Sequence, residues 1–468
     1  MNITLECVGN LLSIFPWVPA LATELVCRRR IRTPFGFQFD TEDLYYTITN
    51  KNGIKGFTYG GFRQRVVNRL RILGHKLEVI DYQKPLPDPK WNLLPKLRQN
   101  QDRIIASIIA SHRGIVSVPT AMGKSFLITT FCRIYPDLKF LIVTPRKAVT
   151  EMLYKGVKEK CDGVAARLFG VRQDCPGNAQ IIVSTTASMH KVSPDWPDVV
   201  FFDEAHGAAA PNTAALLAEY GKAKLFGLTA SPYGRSDAAD ILTEAFFGQV
   251  ICNIEYQEAV TDGVIADIEV HIADVNLPEV IFGADVEAER YGYWMNERRN
   301  QIMVNKAREL LLPSDQTLFF VKTAEHGLAL RRLLPGVPLV HSGIGREQWD
   351  WFCQLNLVQP DEYDLLAKVK PSKLQKAFET GEIPWMIATT IWKEGVDFLN
   401  LKGLVRMDGE GGPISSTQIP GRLSRKGSSG EKRVGYLIDA YDNFGKRFLN
   451  RSRRRLREYR KKGWRIVR

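Results

Sequence analysis

The 468-residue chain is 44% hydrophobic and 25% charged, which excludes a disordered polyelectrolyte and predicts two or three folded domains with real cores. Its formal charge of +13 is concentrated at one end, because Lys446–Arg468 carries twelve Lys or Arg and a single acid, Glu458. A segment of that density suits a polyanion such as nucleic acid, or else forms a solvated end. The seven cysteines are scattered, odd in number and lack any C-x-x-C pair, so they read as reduced thiols in a cytoplasmic protein without a zinc site.

Residues 1–90 read as a small α+β domain. Val8–Cys27 is apolar, but no Lys or Arg precedes it, Pro16 and Pro19 interrupt it and Glu24 lies inside it. These features exclude a signal peptide or spanning helix and place the stretch in a small core, with no membrane partner. Ile3–Cys7, Leu44–Thr49 and Lys76–Asp81 read as strands, and Asn52-Gly53 as a turn. Phe62, Val66, Leu70 and Leu73 have helical spacing, which leaves Arg63, Arg65 and Arg69 on other faces as candidate DNA contacts. A Pro-rich linker, "QKPLPDPKW", follows.

From Leu94 strands and helices alternate, with strands at Ile115–Val118, Phe140–Thr144, Gln180–Ser184, Val199–Asp203 and Lys224–Leu228. The pattern restarts near Ile268, with strands at Ile268–Ile272, Thr317–Val321, Leu339–His341, Trp385–Ala388, Leu404–Met407 and Val434–Asp439, and helices at Arg298–Leu312 and Glu325–Leu334. Such alternation predicts two tandem α/β units with parallel sheets, divided here into 91–262 and 263–445, followed by a basic helix or tail at 446–468. The span between Gly343 and Ile387, with Trp349, Trp351 and Tyr363, reads as a small helical hairpin with its own core.

Two stretches carry the chemistry. "PTAMGKS", Pro119–Ser125, joins an apolar strand to a helix. A loop there can cradle phosphates on backbone N–H groups and the helix N-terminus, with Lys124 adding charge and Ser125 a hydroxyl for Mg²⁺. "VVFFDEAH", Val199–His206, delivers two carboxylates at the end of a buried strand. Asp203 suits the Mg²⁺, and Glu204 suits a base for the attacking water.

With these stretches in order, the chain resembles superfamily 2 helicases of the DEAH type. "VTPRKAV", "VSTTASM", "GLTASP", "VHSG", "IATTIWKEGVDF" and "QIPGRLSR" resemble the further motifs of that family, and "LRQNQ" resembles its adenine-recognising stretch. The resemblance covers about Leu94–Ile438. It implies two RecA-like motor domains with ATP and Mg²⁺ as cofactors. Nucleotide contacts would come from Arg98, Gln101, Pro119, Thr120, Ala121, Met122, Gly123, Lys124, Ser125, Gly395 and Asp397. Catalysis would rest on Lys124 and Glu204, with Arg422 and Arg425 completing the phosphate site. His206, Thr229, Ser231 and Gln418 would couple ATP to strand movement, while Thr144, Arg146, Thr185, His341 and Thr389 would hold nucleic acid. One departure stands out: Ala121 occupies a position where the family usually has glycine.

The "TASPYGRSD" and Q-x-x-G-R-x-x-R forms resemble the XPB, RecG and restriction-translocase branch, and the N-terminal segment resembles UvsW-type phage helicases. That implies an ATP-dependent helicase or translocase on branched DNA, in the host cytoplasm if phage-encoded, acting as a monomer or weak self-associate. RNA–DNA hybrids are a further possible substrate. Two rivals stay open: an RNA helicase, and an ATP-gated DNA-binding subunit that does not unwind.

Overall fold

The computed structural model describes residues 1–468 except 34–35, 146, 170–172, 175–176, 234–236, 280–284, 369, 393–397, 413–415, 418 and 427–433, and leaves the side chains of 32–33, 36–37, 173–174 and 285 undescribed. Its contacts divide the chain into two units. The first comprises Met1–Pro119 and Gly123–Ile254; the second comprises Thr120–Met122 and Glu255–Arg468.

The first unit begins with seven strands: β1 (Asn2–Val8), β2 (Leu11–Phe15), β3 (Val26–Thr33), β4 (Gly36–Asp43), β5 (Tyr45–Asn50), β6 (Gly53–Tyr59) and β7 (Lys76–Asp81). Five form a sheet in the order β5-β6-β2-β1-β7. Alternation along β1 buries Ile3, Leu5 and Cys7, and helix Arg63–Ile72 buries Val66, Val67 and Leu70. β3 and β4 pair only with each other, as a two-stranded arm. The sequence reading leaves this arm unassigned, because Arg28-Arg29-Arg30 conceals the alternation of a strand.

The motor sheet of the first unit contains β8 (Arg113–Ser117), β9 (Phe140–Thr144), β10 (Ala165–Leu168), β11 (Gln173–Asp174), β12 (Ile181–Thr185), β13 (Val199–Asp203), β14 (Lys224–Thr229) and β15 (Val250–Asn253). Their order is β11-β10-β12-β9-β13-β14-β8-β15, and every described pairing is parallel except β10 with β11. β9, β12 and β13 are buried at every residue, as a sheet covered on both faces requires.

The N-terminal sheet and this motor sheet share one apolar cluster that runs from Leu5 and Phe62 to Phe246 and Phe247. Gly61 lies so close to helix Asp240–Phe247 that a Cβ there would collide with the Glu244 and Ala245 carbonyls. Arg65 clasps the Glu244 carboxylate with Nε at 3.0 Å and Nη2 at 2.5 Å. Arg113 donates to Asn10 Oδ1 at 2.5 Å and to the Gly9 carbonyl at 2.6 Å.

The second unit holds β16 (Asp267–Asn276), β17 (Thr317–Phe320), β18 (Leu339–Val340), β19 (Trp385–Ala388), β20 (Gly403–Arg406), β21 (Val434–Asn443) and β22 (Arg465–Val467). They form an all-parallel sheet in the order β18-β19-β17-β20-β21-β16-β22. The two tandem parallel sheets and the α+β N-terminal domain expected from the sequence are therefore present. The short strands β10, β11, β15 and β22 were not legible, since two to four residues carry little periodicity.

Two expectations need correction here. Residues 343–387 form helices Arg346–Gln354, Tyr363–Leu366 and Pro371–Glu379, but they have no core of their own. Trp349 and Phe352 instead join the core of the second unit, beside Phe319 and Leu328. The basic segment forms helix Lys446–Lys461, and Arg455 lies wholly inside. There Arg455 Nε meets Asp439 at 2.8 Å, Tyr459 donates to the same carboxylate at 2.7 Å, and Arg299 Nε meets Asp442 at 2.7 Å.

Candidate active site

β13 and β14 are neighbours in register, Asp203 beside Leu228, and β8 pairs with the other edge of β14, Ser117 beside Thr229. Three strand ends therefore bring the phosphate loop, the Asp203-Glu204 pair and Thr229 to one edge of the sheet. Gly123, at φ +90°, ends the loop, and helix Lys124–Ile134 begins directly after it. A left-handed turn there lets the first helical N–H groups face an anion.

Lys124 Nζ lies 2.6 Å from Glu204 Oε1 and 3.4 Å from Asp203 Oδ1. Burial works against the charged Lys124, yet the two carboxylates outweigh it and hold the ammonium charged well above its ordinary range. Burial also pushes the Asp203 carboxyl up, opposed by Lys124 and reinforced by Glu204. Glu204 is held below its ordinary range despite burial, because Lys124 and His206 favour its charge. Glu204 is thus the more firmly ionised carboxylate of the pair, as a proton acceptor must be.

Asp203 Oδ1 and Glu204 Oε2 are buried and accept no hydrogen bond among the described residues. An orphaned carboxylate oxygen beside a phosphate loop fits a Mg²⁺ held mainly by phosphate and water, with Asp203 and the Ser125 hydroxyl as protein ligands. Among the described residues no group of three or more His, Cys, Asp or Glu could hold a metal by itself, which agrees with a cation that arrives with its nucleotide.

A polar chain leaves this pair. His206 Nδ1 lies 3.5 Å from Glu204 Oε2 and 3.3 Å from Thr229 Oγ1, and Thr229 Oγ1 accepts the Ser231 N–H at 3.1 Å. Three of the four expected coupling residues thus form one relay; the fourth, Gln418, lies outside the described residues. Gln101 is buried, its Oε1 accepts the Arg98 N–H at 2.9 Å, and a Cβ on Gly123 would come within 3.2 Å of its Nε2. The glutamine therefore packs on the loop from behind. The Arg98 side chain is exposed.

Ala121 has φ +73°. The position usually held by glycine is therefore a left-handed one, and alanine occupies it under strain. Pro119 and Thr120 are half-buried and Met122 is buried. Gly395, Asp397 and Arg146 lie outside the described residues.

Thr144, Thr185 and Thr389 all sit just at the ends of parallel strands and are buried. Thr144 Oγ1 bonds Thr150 Oγ1 at 2.7 Å, and Thr185 Oγ1 donates to Ser188 Oγ at 3.1 Å. His341 does not face a ligand. Its Nδ1 accepts the Gly343 N–H at 3.0 Å, which leaves Nε2 to donate to the Leu366 carbonyl at 2.8 Å, so the ring ties the helical insertion to β18. Burial pushes that imidazole below its ordinary range and keeps it neutral. Arg65 is likewise an internal residue through Glu244, Arg69 Nε pairs Glu24 at 3.5 Å, and Arg63 pairs Asp81 at 2.5 Å. These three arginines hold the N-terminal domain together instead of standing bare for phosphate.

In the second unit Arg422 is buried and donates to the Trp392 carbonyl at 2.5 Å, and the Arg425 N–H donates to the Arg422 carbonyl at 3.2 Å. Sequence reasoning missed one pair of contacts near the carboxylates. From the β3 arm, Arg29 Nη2 donates to the Ala209 carbonyl at 3.1 Å and the Arg30 N–H to the Asp237 carbonyl at 2.8 Å. Ala209 closes the short helix Ala205–Ala209 that follows Glu204, and Asp237 follows the Ser231 loop. No local motif marks these contacts.

Comparison with known proteins agrees with this geometry. A family profile, "Type III restriction enzyme, res subunit", matches residues 94–234, the segment from the adenine-recognising stretch to just beyond Ser231. No curated protein matches by sequence. Among solved structures, Saccharomyces cerevisiae Dbp5 bound to RNA and ADP BeF3 shares 14% identity over 80% of this chain and 90% of its own, with a TM-score of 0.53. A fragment of an HsdR subunit of a type I restriction enzyme from Vibrio vulnificus YJ016 shares 15% identity over 95% of this chain and 90% of its own, with a TM-score of 0.53. T4 UvsW shares 15% identity over 100% of this chain and 99% of its own, with a TM-score of 0.43. The profile match and the tandem fold bear out the resemblance to superfamily 2 helicase motors. Among the described residues no helix is long and apolar enough to cross a membrane.

Proposed function

We propose that this chain is an ATP-driven motor that moves along DNA at branch points, migrating branches, regressing forks or dissociating D-loops and R-loops in recombination and replication. The observation that carries the motor reading is the relay Lys124–Glu204–His206–Thr229–Ser231, which links a phosphate-binding cation and a buried ionised carboxylate to a loop beyond the next strand. In the reaction, the loop N–H groups and Lys124 hold the phosphates. Glu204 orients the attacking water and accepts its proton, and the His206–Thr229 contact passes the change in charge to the Ser231 loop. Mg²⁺, when bound, supplies positive charge on the transferring phosphoryl group. Arg422 and Arg425 keep the role of cations for that group, which the motif resemblance suggests. The choice of DNA over RNA rests on the "TASPYGRSD" and Q-x-x-G-R-x-x-R forms and on the restriction-enzyme profile.

Glu204→Gln tests the site. The amide keeps the shape and a hydrogen-bond acceptor for Lys124 but cannot take a proton. Steady-state ATPase should fall by about 10²- to 10⁴-fold, while nucleotide binding measured by fluorescence stays within a few-fold. Undiminished turnover would remove Glu204 from its role. The polymer is tested by comparing ATPase stimulation and strand displacement on single strands, duplexes, forks, four-way junctions, RNA and RNA–DNA hybrids. Forks and junctions should stimulate most. Stimulation by RNA above every DNA form would make this an RNA motor, and ATPase without displacement on any substrate would make it a clamp.

A further inference from the structure

Helix Lys446–Lys461 divides its basic residues into two populations. On its inward side, Arg455 is buried among Asp439, Asp442 and the Gly409 and Ala440 carbonyls, and Arg451 pairs Glu289 at 2.9 Å. Phe448, Ser452, Leu456 and Tyr459 share that buried side. At 3.6 residues per turn, Lys446, Arg453, Arg454, Arg457, Arg460 and Lys461 fall within an arc of about 120° on the opposite side. All six are exposed. Asn450 is the one other exposed residue of the helix, and the arc contains neither an acid nor an aromatic ring. Arg453, Arg454, Arg457 and Arg460 make no side-chain hydrogen bond or ion pair with any described residue, and Lys461 meets Glu458 at 2.8 Å.

The contrast matters more than the charge total. Wherever this unit places an arginine against the fold it supplies a carboxylate or carbonyl, and along this arc it supplies none. Six cations on one rigid helix extend over about 22 Å, and the helix is anchored through Arg455 and Tyr459 so that the stripe cannot collapse onto itself. A line of fixed cations without stacking rings suits a phosphate backbone held by its own duplex geometry. Single strands are ordinarily gripped with aromatic platforms as well as charge.

We propose that the outward face of helix Lys446–Lys461 is a sequence-independent docking surface for the phosphate backbone of double-stranded nucleic acid. The proposal rests on the motor reading and narrows the expected contact from the whole basic segment to these side chains. Arg451 and Arg455, counted in the same charge run, are excluded because the fold consumes them.

The test is a full-length variant with Arg453, Arg454, Arg457 and Arg460 all changed to Gln, compared with a variant carrying Lys at the same four positions. Binding to a blunt DNA duplex, an RNA duplex and a single strand is followed against salt concentration. Loss of four phosphate contacts should flatten the slope of log K against log [salt] by about 3.6 on duplex, at roughly 0.9 per contact. The Lys variant should retain most of the slope, and ATPase measured without nucleic acid should be unchanged in both, which also reports that the protein is folded. Equal flattening on DNA and RNA duplexes supports a shared backbone contact, and flattening on one alone supports the surface while assigning its polymer. An unchanged duplex slope in the Gln variant overturns the proposal, as does flattening confined to single strands. Loss of binding to phosphatidylserine vesicles with duplex binding intact also overturns it. Wild-type protein that hydrolyses ATP but binds no nucleic acid at any salt concentration would instead overturn the motor reading.

Discussion

At the scale of single residues, backbone strain is gathered at the phosphate site. Five non-glycine residues among those described have positive φ, and three of them are Asn100, Ala121 and Glu204. They flank Gln101, lie in the phosphate loop and carry the proposed base. Left-handed backbone costs about 1–2 kcal/mol for a residue with a Cβ, so the surrounding fold must hold these residues in place. Ala121→Gly removes that cost at φ +73°, offset in part by the greater freedom of glycine in the unfolded chain. The variant should gain up to about 1 kcal/mol of stability, seen as a higher denaturation midpoint, with ATP affinity equal or better. Ala121→Val should do the reverse. A lower midpoint for the glycine variant would show that the methyl group makes a contact worth more than the strain. The motif residues were legible because their chemistry is local: a strand end, a tight loop and a charged side chain lie within a few positions of one another. His341, Arg65 and Arg69 were misassigned because their partners, Leu366, Glu244 and Glu24, lie elsewhere in the chain, and sequence spacing reveals nothing of such partners.

At the scale of elements, the first unit is held together by a small residue. Helix Asp240–Phe247 can approach the N-terminal domain only because Gly61 has no side chain. Gly61→Ala should force the domain away from the helix, strain the Arg65–Glu244 clasp and uncover Phe62 and Phe246. The expected result is faster amide hydrogen exchange along β1 and β2, with the β13 and β14 amides of the motor sheet remaining protected. Uniform protection across both sheets would show that the interface absorbs a methyl group. The same domain reaches the carboxylate region through the β3 arm, where Arg29 holds the Ala209 carbonyl. Motor strands such as β9 and β13 were legible as unbroken apolar runs, which a doubly covered parallel sheet demands. The arm was not, because its strands pair only with each other and show no alternation through three consecutive arginines.

At the scale of the whole molecule, a chain of charge +13 buries cations as well as displaying them. Arg299, Arg406 and Arg455 are wholly buried in the second unit, matched by Asp442, Asp408 and Asp439. A buried pair of this kind adds little when complete and costs about 3–5 kcal/mol when one partner is lost. Tandem sheets were legible because their alternation repeats across the chain; this network was not, since a charge run gives no sign of which members turn inward. Acid should expose the dependence. Burial and the nearby Arg299 push the His326 imidazole down to about 3, against an ordinary value near 6.5. Between those values the unfolded chain binds a proton that the folded unit refuses, so stability falls as pH falls, by up to about 1.4 kcal/mol per pH unit. Asp408 contributes in a lower window. Burial pushes its carboxyl up, but Arg406 more than offsets this and leaves it below the ordinary range, so its stabilisation is present above about pH 4 and lost as acid protonates it. Denaturant midpoints for β16 and β21, read by hydrogen exchange from pH 8 to pH 3.5, should therefore decline first below pH 6.5 and more steeply below pH 4. His326→Gln should flatten the upper window and leave the lower one. A wild-type profile that is flat down to pH 4 would show that His326 is not held neutral by the fold.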